Sequence, residues 1–430
     1  MNDYAREVVP QSERKWWVSI SFVWIAVGID LSAMLFGAEL GSGMSFQDAL
    51  FAVVVGSVLL GILAAFCAYV GAVTGLSTSM ISRFTFGARG AKMVSLFLAI
   101  SLMGWFGVQT GFFAENAQVM MVETFGITLP LWILSLIGGI LMMTTAVIGY
   151  RAIERLSVWS VPLLLLLVVL AVILAVRMNG SVALSMPVEN VFSIGMAISL
   201  VISIFVVGAV ISPDVSRWAR TPKDAILASF FGFFFGNTFM ITMAIILSRV
   251  MDESSLTTIM IAVGLGVPGI LVLILAQWTT NTSNAYSSGL GLSVIFPNIK
   301  KSTLTVMAGS IGTLLAVLGI YGHFIDFLTV MTMFIAPIGG VYTASFYIGK
   351  RSTFHEECVV AYRKLPLLAW AIGSLMSWLT MEAPIGLALF TITSISSLDS
   401  FIVAFLAQAL FIQLQKQKGV PMKHEMVNRK

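Results

Sequence analysis

Residues 278–284 read Trp278-Thr279-Thr280-Asn281-Thr282-Ser283-Asn284. Six polar side chains in a row follow one tryptophan, inside a stretch, 257–285, that is otherwise largely apolar. Facing lipid, these groups would lose their hydrogen bonds to water, so a run this dense is expected to face protein, water or an ion. A plainer reading is that serine and threonine back-bond to their own helix and let neighbouring helices approach. Six such residues in succession are more than packing needs, and the first reading is preferred.

The surroundings of the run settle the class of protein. The chain has 430 residues, 58% hydrophobic and 10% charged, and a mean hydropathy of +0.98. A soluble domain carries about 25% charged residues. This balance excludes a soluble enzyme, a disordered chain and a nucleic-acid binder, and requires an all-α polytopic membrane protein. Spans of about 20 apolar residues are predicted twelve times. They fall at 17–40, 48–72, 93–120, 129–149, 158–176, 192–212, 225–250, 257–285, 304–320, 324–349, 365–381 and 398–414. The apolar but Ser/Thr-rich stretch 384–397 is expected either to extend the eleventh helix or to lie at the outer surface.

Basic residues orient these spans. With a cytoplasmic N-terminus, 22 of the 24 lysines and arginines fall in inner segments, and only Arg177 and Arg249 lie outside. Such a bias places both termini in the cytoplasm. Residues 1–16 form a polar tail with no apolar h-region, so no cleavable signal peptide is expected, and 415–430 form a second tail. Cys67 and Cys358 are too few for a disulfide framework and are read as free thiols.

Spans one to five (17–176) and six to ten (192–349) are of nearly equal length. An odd number of spans per half turns the second half upside down, which is the arithmetic of a five-plus-five inverted repeat. Spans eleven and twelve (365–414) are then accessory helices. Transporters of this build bind substrate where helices break near the midplane. Candidate breaks are Gly28-Ile29-Asp30 in the first span and Ser203-Ile204-Phe205-Val206-Val207-Gly208, with Gly208 near the middle of the sixth.

Several stretches together resemble the nucleobase:cation symporter-1 family, in its bacterial cytosine permease branch. They are Val9-Pro10-Gln11-Ser12-Glu13-Arg14-Lys15, Thr74-Gly75-Leu76-Ser77-Thr78, Arg83-Phe84-Thr85-Phe86-Gly87, Gly104-Trp105-Phe106-Gly107, Pro213-Asp214-Val215-Ser216-Arg217, Trp278-Thr279-Thr280-Asn281 and Tyr286-Ser287-Ser288-Gly289-Leu290-Gly291. The resemblance implies a multi-pass protein of the bacterial inner membrane that imports a nucleobase-like ring with a cation, usually sodium. It implies a ring sandwiched between Trp105 and Phe205, since planar heterocycles stack on aromatic faces. Gln109, one helical turn from Trp105, matches a substrate-binding glutamine of the family's hydantoin transporters, and its amide both donates and accepts. The plainer alternative is an interhelical hydrogen bond, and the substrate reading is preferred. Asn116 is a weaker candidate on the same face.

For sodium the resemblance implies the carbonyls of Ala26, Ile29 and Ala276 and the hydroxyls of Thr279 and Thr280. Asp30 is read either as a proton or coupling site or as the cap of a half-helix. This chain also departs from the cytosine permeases, which carry glutamine at Leu102, serine at Val207 and asparagine at Ala276. Losing these polar groups argues against cytosine itself and toward another ring, such as a hydantoin-like, allantoin-like or cationic one, with Gln109, Gln277, Asn281 and Asn284 as remaining amides. His323, His355 and His424 all lie outside the predicted spans, and no nucleophile motif or phosphate loop is present. The expectation is a monomeric, ATP-independent transporter with no organic cofactor, not an enzyme. An uncoupled channel and a non-transporting sensor are the rival classes.

Overall fold

The computed structural model describes residues 4–29, 31–188, 191–349, 359–381, 385–393 and 395–417. Among these residues the regular structure is helical, with one isolated bridge between Lys15 and Ala219 in place of any strand. The first apolar stretch makes two helices, α1 (Trp17–Gly28) and α2 (Leu31–Gly43), bent by 55°. The predicted break is therefore present, with Ile29 outside helical geometry at φ −95° and ψ 74°. Asp30 lies outside the described residues. Next come α3 (Phe46–Thr74) and α4 (Thr78–Phe125), the latter interrupted at Gly87.

Gly87 has φ 84°, and a Cβ there would meet the carbonyl oxygens of Val360 and Ala361 at 2.8 and 2.9 Å. Only glycine fits both the conformation and the contact. α5 (Leu131–Ile148) and α6 (Tyr150–Asn179) complete the first half.

The second half opens with another interrupted helix, α7 (Ile194–Ser203) and α8 (Val206–Val210). Here the break falls at Ile204–Phe205, with Phe205 at φ −124° and ψ 10°, and Gly208 lies inside α8. The short α9 (Pro213–Ser216) leads to α10 (Pro222–Met251), α11 (Leu256–Ala262) and α12 (Gly266–Ile295). The polar run thus sits in the middle of a 30-residue helix, not at the end of one as the span 257–285 anticipates. α13 (Lys301–Val317), α14 (Phe324–Tyr347), α15 (Lys364–Thr380) and α16 (Ser396–Gln417) follow. α15 stops at Thr380, so residues 385–393 do not extend it.

Among the described residues seven helices have the length and apolarity to cross a membrane, and the bent pair α1–α2 makes an eighth. The other four predicted spans coincide with the interrupted α7–α8, the polar-bearing α12, and the 17-residue helices α13 and α15. Seventeen residues rise about 25 Å, slightly less than a hydrocarbon core.

Small residues let the broken helix lie close on α10. A Cβ on Gly28 would meet backbone atoms of Gly236 at 3.0 Å, and one on Gly37 the Ala244 Cβ at 2.5 Å. Such close approach is how helices associate where no hydrophobic force separates protein from lipid. α12 packs along α4, and α14 along α16. Cys67 is a buried free thiol; Cys358 falls outside the described residues.

Candidate functional site

The two interruptions face α4 and α12 around one cavity. Trp105 (5% exposed) from α4 and Phe205 (4%) at the second break both line it. Phe324 and Phe327 hold the Trp105 ring edge-on, with centroids 5.8 and 5.5 Å away. Asn284, Ser283, Ser287 and Thr280 of α12 supply the polar wall, while Leu102, Val207, Ile204, Ile211 and Val215 make the rest apolar. The void comprises about 490 Å³ of space between atoms, of which about 30 Å³ admits the centre of a water-sized sphere. That suffices for a water or two. A planar ring needs the walls to part.

Trp24 is a lining residue that the sequence reading missed. It is 2% exposed and lies 4.6 Å from the Phe233 ring. Its indole N–H is buried with no hydrogen-bond acceptor among the described residues. A buried donor left so costs about 1–3 kcal/mol, which an acceptor entering the cavity would relieve. One of ten tryptophans, four residues before the break, gave no sequence signal beyond its position.

The predicted polar readers divide. Asn284 lines the cavity, and its amide donates to Asn281 Oδ1 at 3.3 Å. Gln109 is fully buried but is not a lining residue; its Nε2 donates to Ser32 Oγ on α2 at 3.4 Å. Asn281 ties α12 to α4, donating to the Phe106 carbonyl at 3.0 Å and to Thr110 Oγ1 at 2.9 Å. Asn116 donates to the Phe112 carbonyl and accepts from the Thr257 hydroxyl, a link to α11. Gln277 is fully buried, and both ends of its amide lack partners among the described residues. Of the three departures from the cytosine permeases, Leu102 and Val207 line the cavity, whereas the Ala276 side chain does not.

Four of the five residues expected to hold a cation come together. The Thr280 hydroxyl oxygen lies 3.2 Å from the carbonyl oxygens of both Ala26 and Ala276, and the Thr279 hydroxyl donates to Ala276 at 2.7 Å. Carbonyls in the last turn of a helix have no intrahelical donor. Ala26, two residues from the end of α1, is such a carbonyl, and Thr280 reaches it across the helix boundary. Ile29, the fifth, sits in the break itself. The donor set is neutral oxygen throughout, which fits a hard monovalent cation of the kind that unwound carbonyls coordinate in transporters. Among the described residues no three His, Cys, Asp or Glu side chains gather as they would for a transition metal.

Beneath the cavity, α9 forms a charged cluster. Thr78 N–H donates to Asp214 Oδ1 at 2.8 Å. The fully buried Arg217 donates to the Asp214 and Tyr4 carbonyls at 3.1 and 2.6 Å, and to the Tyr286 hydroxyl at 2.9 Å. Arg220 sits apart from this cluster, paired through its backbone with Lys15. Burial raises the Asp214 carboxyl above the ordinary aspartate range, against the lowering effects of the Thr78 N–H and Arg217.

Such an arrangement, two interrupted helices enclosing a partly polar cavity within a bundle of apolar helices, defines a multi-pass membrane protein built to hold a small molecule. Residues 8–408 match the family described as "Permease for cytosine/purines, uracil, thiamine, allantoin". The chain is 34% identical to the cytosine permease of Escherichia coli (strain K12), over 90% of this chain and 92% of that one. It is 23% identical to the hydantoin permease of Microbacterium maritypicum, over 85% of this chain and 81% of that one. Its fold resembles that of Mhp1, a nucleobase-cation-symport-1 family transporter solved in a closed conformation with bromovinylhydantoin bound. The TM-score is 0.83 at 20% identity, over 97% and 96% of the two chains. The chain belongs to this cytosine/purine permease family. Its relatives are permeases, not enzymes.

Proposed function

We propose that this protein imports a nucleobase or related planar heterocycle by symport with a cation, sodium in preference to a proton, through alternating access. The observation that carries the proposal is the double place of Thr280, which lines the cavity and also stands in the oxygen cluster with Ala26 and Ala276. A cation there would supply positive charge that fixes the end of α1 against α12. The chain's own groups then do the rest. Trp105 and Phe205 stack on the two faces of the ring, Asn284 and the Trp24 N–H bond its edge, and Leu102 and Val207 exclude water.

In this reading the chain crosses the membrane twelve times. Helices within 17–176 and 192–349 are inverted repeats, 365–414 are accessory, and the tails 1–16 and 415–430 are cytoplasmic. It works as a monomer in the inner membrane without ATP. Gln109 is a reader only if it exchanges Ser32 for the ligand, and Asp30 is a coupling carboxylate beside Ile29.

The ring differs from cytosine. Leu102 and Val207 give apolar wall where the cytosine permeases present amide and hydroxyl, and each missing hydrogen bond to a buried group costs about 1–3 kcal/mol. Uptake by proteoliposomes of labelled pyrimidines, purines, hydantoins and allantoin, with and without an inward sodium gradient, tests the proposal. We expect one ring other than cytosine to accumulate above its external concentration only with the gradient. Equilibration without accumulation would make the protein a channel, and binding without uptake a sensor. Preference for cytosine would overturn the substrate assignment.

A further inference from the structure

A second cleft lies at the foot of α6, away from the central cavity. It is an open surface cleft lined by Lys15, Arg151, Glu154, Arg155, Val158 and Trp159. Two of its three cations are paired: Lys15 Nζ lies 3.5 Å from Glu154, and Arg151 bonds Glu13. Arg155 is exposed and has no ion-pair partner among the described residues. The cleft therefore carries surplus positive charge.

Three features fix the kind of anion it suits. First, Arg151 and Arg155 stand in the first two turns of a 30-residue helix whose N-cap, Gly149, offers no side-chain acceptor. Cations at the positive end of a helix dipole are unfavourably placed, and an anion relieves them. Second, the chemistry changes in order along one face of α6. Arg151, Arg155, Trp159, Leu163, Leu166 and Leu170 share an arc of about 120° at 100° per residue. All are exposed, Trp159 at 77% and Leu166 at 67%. Basic, then tryptophan, then aliphatic is the order met on passing from headgroups into hydrocarbon. Third, the cleft is open to its surroundings at the protein surface, and Trp16, the residue after Lys15, is another exposed tryptophan beside it.

We infer that this cleft is a binding site for an anionic phospholipid, its phosphate held by Arg155 with Arg151 and Lys15, and an acyl chain laid over Trp159, Leu163 and Leu166. A soluble phosphate would satisfy the cations but leaves the apolar stripe unused; an amphiphile uses both. Nothing in this inference depends on which substrate the central cavity takes.

The test uses full-length protein in nanodiscs and in detergent, with lipid binding counted by native mass spectrometry and stability read by thermal shift. Phosphatidylglycerol should bind and raise the melting temperature more than phosphatidylcholine does. Arg155→Gln should weaken the phosphatidylglycerol effect about fivefold, as one basic contact at an anionic surface warrants. Arg155→Lys should retain most of it, and the charge-matched control Lys300→Gln should leave it unchanged. Equal effects of the two lipids, or equal losses in Arg155→Gln and Lys300→Gln, would overturn the site. A full shift from inorganic phosphate alone would overturn the lipid assignment.

Discussion

Trp105 and Trp24 both line the central cavity, yet they should fail differently when altered. Trp105→Ala removes a stacking face and leaves a void among Phe324 and Phe327, so binding of every planar ring should fall below detection in calorimetry. Trp24→Phe keeps an aromatic ring against Phe233 and deletes only the orphan N–H. It should weaken a ring that presents an acceptor by about two- to tenfold and spare one that does not. A uniform loss across both kinds of ring would assign Trp24 to packing alone. Trp105 was legible from its Gly104-Trp105-Phe106-Gly107 surroundings, whereas Trp24 was not. Its importance comes from what it packs against, Gly208 of α8 and Gly232 of α10, and no local pattern encodes that. For Gln109 the sequence leaves open an interhelical hydrogen bond, and the structure supplies its partner, Ser32 on α2, which no local pattern names.

At the scale of elements, the contact of α1 with α10 is a close backbone approach beside the site. Gly28→Ala would press a Cβ to 3.0 Å from Gly236 backbone atoms, which cannot rotate away. A loss of about 1–3 kcal/mol is expected, seen as a lower melting temperature together with weaker cation binding. Gly208→Ala meets side chains alone, the Phe233 ring edge at 3.2 Å and the Trp24 ring at 3.8 Å, and should cost less.

The α9 cluster makes a pH prediction. Because burial raises Asp214, the folded chain holds that proton more tightly than the unfolded one. The stability it gives is complete below the unfolded value of about 3.9 and is lost as pH rises through the elevated folded value. Asp214→Asn should remove that loss, so the variant's stability relative to wild type should grow across this window; a constant difference would refute the assignment. The first break was readable because Gly28 loosens a helix and the neighbouring Asp30 is costly in lipid. The second falls within the predicted stretch Ser203–Gly208, but at Ile204–Phe205 and not at its glycine, and Phe205 has no intrinsic breaking tendency.

Over the whole molecule, most of the architecture was written in hydropathy. Eight of the predicted spans coincide with a helix or bent pair long and apolar enough to cross a bilayer, which demands about 20 apolar residues wherever a chain crosses it. What hydropathy could not supply was register. The polar run of α12 faces the α1 break through Thr280, and faces α4 through Asn281, only because helices distant in sequence pack at particular heights. That register carries the central claim, that a cation and a heterocycle share Thr280. By linkage, if sodium tightens ring binding by some factor, the ring must tighten sodium binding by the same factor. The most direct measurement is the heterocycle dissociation constant, titrated in zero and in saturating sodium, for wild type and for Thr280→Val. The account predicts that sodium tightens binding about tenfold or more in wild type and not in the variant. A dissociation constant indifferent to sodium in wild type, or an undiminished sodium effect in Thr280→Val, would contradict it.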